Sequence, residues 1–394
     1  MDRTELAAGA WFHKINSIGF RTMFQLMERF GSMQEAYEAT EKALLEVLSG
    51  RQFSAVKAAK YAMHPKDYLE QVEEKGIRYI CFYDDIYPEK LKNIPDPPFG
   101  VFVKGSLPRG EVPAVAMIGS RACSDYGRNV AELFAGELAA KGVQIISGMA
   151  RGIDSISQAA CVKAGGQTYA VLGSGVDVCY PEELYRLYTD ISKSGGIISS
   201  YAPGMEPLAR NFPPRNRIIS GLSDVVLVIE SRKKSGTLIT VDMALEQGKE
   251  VAVIPGRITD ELSKGCHELI KQGATVISDV EQLLELLQDI CKLQNFPMKS
   301  VQSENVHLEN SQSENIQHGY KSESSGIHLN NREISPELKS ILGVLDYEYA
   351  EAEKVYEKWL QQGNKGSFQE LLTGLMDLEL MDLCKSNKNR FSIR

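Results

Sequence analysis

The chain has 394 residues, enough for two or three domains, and a formal net charge of -8, so a polyanion could be met only by a local basic patch. Its seven cysteines form no CxxC pair and no histidine stands at zinc-finger spacing, which excludes a disulfide scaffold and a zinc module and leaves packed thiols in a reducing compartment. The opening "MDRTELAAGAWFHKI" is too charged for a signal peptide and no apolar run reaches the ~20 residues of a membrane span, so a cytoplasmic protein without membrane attachment is expected.

From Thr4 to about Met63 the apolar spacing is helical, broken at Gly19 and Gly31, which sets a small helical domain over residues 1–66. Within it, "INSIGFRTMFQLMERFG" has the outline of a helix-hairpin-helix, but with one glycine in the turn where that motif usually has two, so a plain interaction domain is preferred. Residues 67–107 mix aromatics with prolines and glycines and read as a tight connector leading into an α/β domain over 67–291.

That domain carries the strongest signal. Short apolar runs recur as "AVAMIG", "VQIISG", "TYAVLG", "GIISSY", "DVVLVIE", "EVAVIPG" and "TVIS", most separated by a helix-length segment. Strand and helix alternate, so the sheet is mostly parallel and covered on both sides. One intervening helix sets Val130, Leu133, Phe134 and Leu138 on a single face.

Residues 292–334 lose all apolar periodicity, contain "QSEN" twice, and read as a disordered linker. From 335 to 394 helices return. Leu371, Leu372, Leu375, Leu378 and Leu380 line one of them, and "LCKSNKNRFSI" reads as a hairpin with Asn387 to Asn389 at its tip. Helices followed by a hairpin suggest a winged helix. The helix that would read DNA has Glu370, Asp377 and Glu379 and no lysine or arginine between Ser367 and Leu383, which favours protein over phosphate as its contact.

In an open parallel sheet, ligands bind beyond the carboxyl ends of the strands. There the chain places "GSRACSDYG", "SGMARGIDS", "LGSGVD", "ESRKKSGT" and "IPGR", and four of these five turns carry arginine or lysine. Glycines admit an anion close to the backbone, and the helix starts that follow offer free N–H groups. Ser124 or Asp125 is placed to cap the first such helix, and Asp154 or Ser155 the second.

A nicotinamide site is excluded because the first turn lacks GxGxxG spacing and the second strand does not end in an acid. No P-loop, GxSxG elbow or catalytic constellation is present, and no cofactor or metal is implied. The stretch "LARNFPPRNRIISGLSD" is more telling. Arg210, Arg215 and Arg217 stand within eight residues without an intervening acid, with Phe212 among them beside a proline pair. Guanidinium forks for phosphates and an aromatic face for a base are the components of a single-strand surface.

Taken in order, "IGSRACSDYG", "SGMARGIDSISQAA", "AVLGSGVDVCYPEELYRLY", "FPPRNRIISGLSDVVLVIESRKKSGTLITVDMALEQGKEVAVIPG" and "GCHELIKQGA" closely resemble the DNA-processing protein A family, DprA or Smf. The resemblance runs continuously over about 100 to 287. It implies an extended Rossmann-like fold, a sterile-alpha-motif-like domain before it and a winged helix after it. It further implies single-stranded DNA as ligand, protection of incoming strands and RecA loading during natural transformation, and a homodimer formed through the Rossmann-like domain.

Carried onto matching positions, the resemblance puts Gly119, Ser120 and Arg121, then Ser147, Gly148, Arg151 and Gly152, and then Arg215 and Arg217 around a phosphate pocket. Phe212 stacks on a base, and Asn216 with Ser235, Gly236 and Thr237 shapes the floor. Two positions depart from the family pattern: Ser199-Ser200 stands for Ser-Glu, and Gly265-Cys266-His267 for Gly-x-Asn. The competing expectation is a nucleotide-derivative binder or phosphoribohydrolase. Glu230 is its candidate acid, although "ESRKKSGT" puts lysines where such an enzyme has a glycine pair.

Overall fold

The computed structural model describes residues 1–291, 335–345, 350–381, 383–387 and 390–393. Helices α1 (Arg3–Lys14), α2 (Phe20–Phe30), α3 (Met33–Glu38), α4 (Glu41–Leu44), α5 (Gly50–Ala62) and α6 (Pro65–Glu74) open the chain. Ser32, Thr40 and Ser49 cap α3, α4 and α5 with their hydroxyls, and Pro65 begins α6 where its missing N–H costs nothing. The boundary expected after residue 66 falls inside α6.

Trp11, Phe12, Met23 and Leu26 from these helices share one hydrophobic core with Tyr79, Phe102, Ala170 and Ile197 of the sheet. The described residues 1–291 accordingly belong to one compact unit, in which 1–66 and 67–291 are joined by packing. The stretch expected as a connector supplies two strands, β1 (Ile77–Cys81) and β2 (Gly100–Gly105), on either side of the short helix α7 (Glu89–Lys92). Both strands are nearly all buried, so neither shows the alternation that marks a half-exposed strand.

The expected apolar runs follow as strands. They are β3 (Ala114–Ile118), β4 (Gln144–Ser147), β5 (Thr168–Val171), β6 (Gly196–Ser199), β7 (Val225–Val228), β8 (Glu250–Val253) and β9 (Thr275–Val276). Between them lie α8 (Asp125–Ala140), α9 (Ile153–Lys163), α10 (Tyr185–Ser194), α11 (Phe212–Leu222), α12 (Gly236–Glu246) and α13 (Lys264–Lys271), and α14 (Val280–Cys291) closes the unit. On α8 the buried face is Ala131, Phe134, Ala135 and Leu138, while Leu133, expected inside, is 52% exposed. Helical spacing from Gly127 selects that face and turns residue 133 outward.

The sheet order is β1-β2-β6-β5-β4-β3-β7-β8-β9. From β6 to β9 every neighbour is parallel, and β2 and β1 are added antiparallel beyond β6. Ala114, Ala116 and Ile118 of β3 face a core shared with Ile218 of α11 and Val241 of α12, while Val115 and Met117 face Phe134 of α8 and Ile153 of α9. The chain leaves β3 toward β4 on one side and later returns to β7 on the other. This reversal opens a crevice at the carboxyl ends of β3 and β7, where open α/β sheets bind ligands.

The second unit, considered by itself, runs α15 (Pro336–Leu342), β10 (Ala350–Glu351), α16 (Ala352–Gln361), α17 (Phe368–Leu380), β11 (Cys384–Asn387) and β12 (Arg390–Ile393). The strands form an antiparallel sheet in the order β10-β12-β11, which is the element order of a winged helix. Leu371, Leu375 and Leu378 are fully buried. Residues 292–334 and the hairpin tip at 388–389 lie outside the described residues.

Candidate nucleic-acid interface

A cleft of about 430 Å³ occupies the crevice between β3 and β7. Its walls are the loop after β3, with Gly119, Ser120 and Arg121, the loop after β7, with Arg232, Lys234 and Ser235, and the first turns of α11 and α12. Four cationic residues line it, Arg121, Arg215, Arg232 and Lys234, against one acid, Asp154. Among the described residues, Arg121 makes no side-chain hydrogen bond or ion pair, whereas Lys233, between Arg232 and Lys234, turns to Glu268 at 3.8 Å.

The loop geometry explains the glycines. Gly152 has φ +75, and a Cβ there would lie 2.2 Å from the Ser120 carbonyl oxygen. It thus lets the β4 loop close onto the β3 loop, where the Ile153 N–H donates to Ser120 O at 3.2 Å. The β7 loop is tied in as well, because Thr237 Oγ1 donates to Gly119 O at 3.1 Å and Ser235 caps α12. Ser124 caps α8 as expected. On α9 the N-cap is Gly152 and neither expected side chain caps it, since Asp154 folds back to accept the Gly148 N–H at 3.1 Å.

Arg215 differs from the other cations. It is 4% exposed, donates to the carbonyl oxygens of Gly148 at 3.0 Å and of Val171, and donates from Nε to Asn216 Oδ1. Asp154 lies across Gly148 from it, so closely that a Cβ on Gly148 would meet both side chains within 2.9 Å. Burial lowers the Arg215 pKa to about 10 and raises that of Asp154, while the two charges favour each other's ionised form. Arg215 therefore stays charged at neutral pH and forms the floor.

The cleft brings together Gly119, Ser120, Arg121, Phe212, Arg215, Asn216, Ser235, Gly236 and Thr237 of the expected site. Ser147 lies beneath it, donating to Met117 O, and Gly148 and Gly152 shape the loops without lining the cavity. Arg151 stands outside and is paired with Glu183. Arg217 is also outside. Two residues after Arg215 on a helix, it points about 200° away, where it donates to the carbonyl oxygens of Asp96 and Pro214. Phe212 forms one wall, backed by Gly173, where any Cβ would come within 3.0 Å of the ring.

Sequence reasoning missed Arg232, Lys234 and Asp154 as lining residues. The first two belong to the turn "ESRKKSGT", but only the folded loop shows which of its cations face inward. Glu230 does not line the cleft. It is 3% exposed and accepts hydrogen bonds from the Ser124 amide and hydroxyl, closing the N-terminus of α8. Of the departures, Ser200 gives its carbonyl to His13, and His267 meets Gly256 O at 3.0 Å, away from the cleft.

The profile of the family described as DNA recombination-mediator protein A matches residues 78–288, from β1 through α14. The chain belongs to that family. A DNA processing protein DprA from Streptococcus pneumoniae is 44% identical over 201 residues, spanning 51% of this chain and 71% of that protein. The Smf protein of Escherichia coli is 41% identical over 236 residues, spanning 59% and 63%. The X-ray structure of DprA from Streptococcus pneumoniae superposes with a TM-score of 0.63 at 33% identity, over 71% of this chain and 97% of that one. The family match thus covers every loop of the cleft. Among the described residues no helix is long and apolar enough to cross a membrane.

Proposed function

We propose that the cleft holds the backbone of single-stranded DNA, with Arg121, Arg232 and Lys234 meeting phosphates and Phe212 meeting a base. The observation that carries this reading is Arg121 standing without a partner among the described residues, at the rim of a cleft whose floor already carries the buried charge of Arg215. An anion entering there gains charge-assisted bonds without displacing an existing ion pair. A wall with one aromatic ring offers a stacking face to any base, which suits a strand of any sequence.

In this reading the chain is a binder and not an enzyme, works in the cytoplasm as a dimer through its α/β unit, shields single strands and delivers them to RecA. The acidic α17 makes a protein contact. The turn of Glu230 toward Ser124 weighs against the phosphoribohydrolase reading. Anisotropy of a fluorescent oligothymidine over a salt series tests it. Binding that falls steeply with salt and exceeds that of an equal duplex is expected, and absence of binding by the folded protein at low salt overturns it.

A further inference from the structure

Helix α11 separates the cleft from a second one. On its far side, a cavity of about 260 Å³ lies between the turn joining α1 to α2 and the segment after β6, and it adjoins an open hollow of about 660 Å³ beside α5. Arg210, Ile15 and Asn16 line both, so the two are continuous. Arg210, Arg217 and Arg51 contribute their charges, and among the described residues no aspartate or glutamate lines either hollow, in a chain of net charge -8.

Two of these cations, Arg210 and Arg51, are available. The side chains of Arg210 and Arg51 are exposed and make no hydrogen bond or ion pair among the described residues. Arg217 donates only to neutral carbonyl oxygens, and the nearby Asp96 carboxylate is taken by Arg21 at 3.3 Å. Asn211 lines the same cavity at 6% exposure, and its Nδ2 has no hydrogen-bond partner among the described residues. Phe20 and Tyr201 supply aromatic surface, with the Arg217 guanidinium 5.3 Å from the Phe20 ring.

The start of α11 links the two clefts. Phe212 and Pro213 line the first, while Asn211 and Pro214 line the second. We propose that a single strand held in the first cleft passes over the Pro213-Pro214 turn and continues through the second, where Arg210 and Arg51 meet further phosphates and the bound Arg217 adds its charge to the wall. The N-terminal helices thereby become part of the DNA path. The turn around Gly19, whose outline suggested a helix-hairpin-helix, lines this second cleft. The inference rests on the single-strand reading of the first cleft.

The full chain is titrated with oligothymidines of about 4 and about 16 nucleotides, lengths that bracket known single-strand sites. The double variant Arg51→Ala/Arg210→Ala, altered only at exposed side chains, is compared with Arg121→Ala. The double variant is expected to weaken the long oligomer about fivefold or more, to make its salt slope shallower by about 0.7 for each phosphate no longer neutralised, and to leave the short one unchanged. Arg121→Ala should weaken both.

An unchanged long oligomer in the double variant overturns the path, as does an equal loss for both lengths, which would mark a diffuse charge effect. If Arg121→Ala changes neither while the double variant weakens both, the second cleft binds alone and continuity is wrong. If the wild-type chain binds neither length, the first-cleft reading itself falls.

Discussion

The floor and the rim of the cleft use the same residue types in opposite ways. On the floor, Arg215, Asp154 and Gly148 have their polar groups engaged with one another or with backbone. At the rim, Arg121 is exposed and without a partner among the described residues. A cation whose bonds are already made holds shape. One whose bonds are unmade is a contact waiting for an anion. Stability should therefore reside in the floor and affinity in the rim.

The largest effect should come from Arg215→Met, which strips the Gly148 and Val171 carbonyls of a donor and leaves Asp154 buried without its counter-charge. A loss of about 3 to 5 kcal/mol in urea unfolding is expected. A loss below about 1 kcal/mol would mean that the floor is not held by this group. Gly152→Ala comes next, since φ +75 and contact with the Ser120 carbonyl both oppose a side chain. About 2 to 4 kcal/mol and a displaced β3 loop are expected, and near-wild-type stability with full DNA affinity would contradict the loop account.

A smaller effect sharpens the comparison at the second cleft. His13, wedged between Tyr79 and the Ser200 carbonyl, is held neutral by burial, its pKa lowered to about 4 from an ordinary 6.5. The unfolded chain then binds more protons between these values, so the stabilisation is complete above 6.5 and lost as pH falls toward 4. The ring is partly open to the cleft, which limits the loss to about 2 kcal/mol. Urea unfolding at about pH 7 and about pH 5 measures it, with His13→Gln flattening the difference.

Much of this was legible in the sequence. Runs such as "AVAMIG" and "DVVLVIE" announce strands buried on both faces, and the glycine-rich turns after them mark the ligand edge. The strands β1 and β2 were obscured because aromatics and prolines dominate "IRYICFYDDIYPEKLKNIPDPPFGVFVKG", and their place at the sheet edge depends on pairing with β6, which is distant in sequence. The arginines of "RNR" show a different limit. Local composition shows that Arg215 and Arg217 are close in sequence, but helix phase sends one under the first cleft and the other toward the second.

The most direct measurement pairs thermal unfolding with oligothymidine binding for Arg121→Ala and Lys234→Ala. The account predicts melting within about 0.5 kcal/mol of wild type, as for ordinary surface changes, together with affinity lowered about fivefold or more at low salt and a shallower salt slope. Unchanged affinity in both variants, with stability intact, would contradict the assignment of the rim to the DNA backbone.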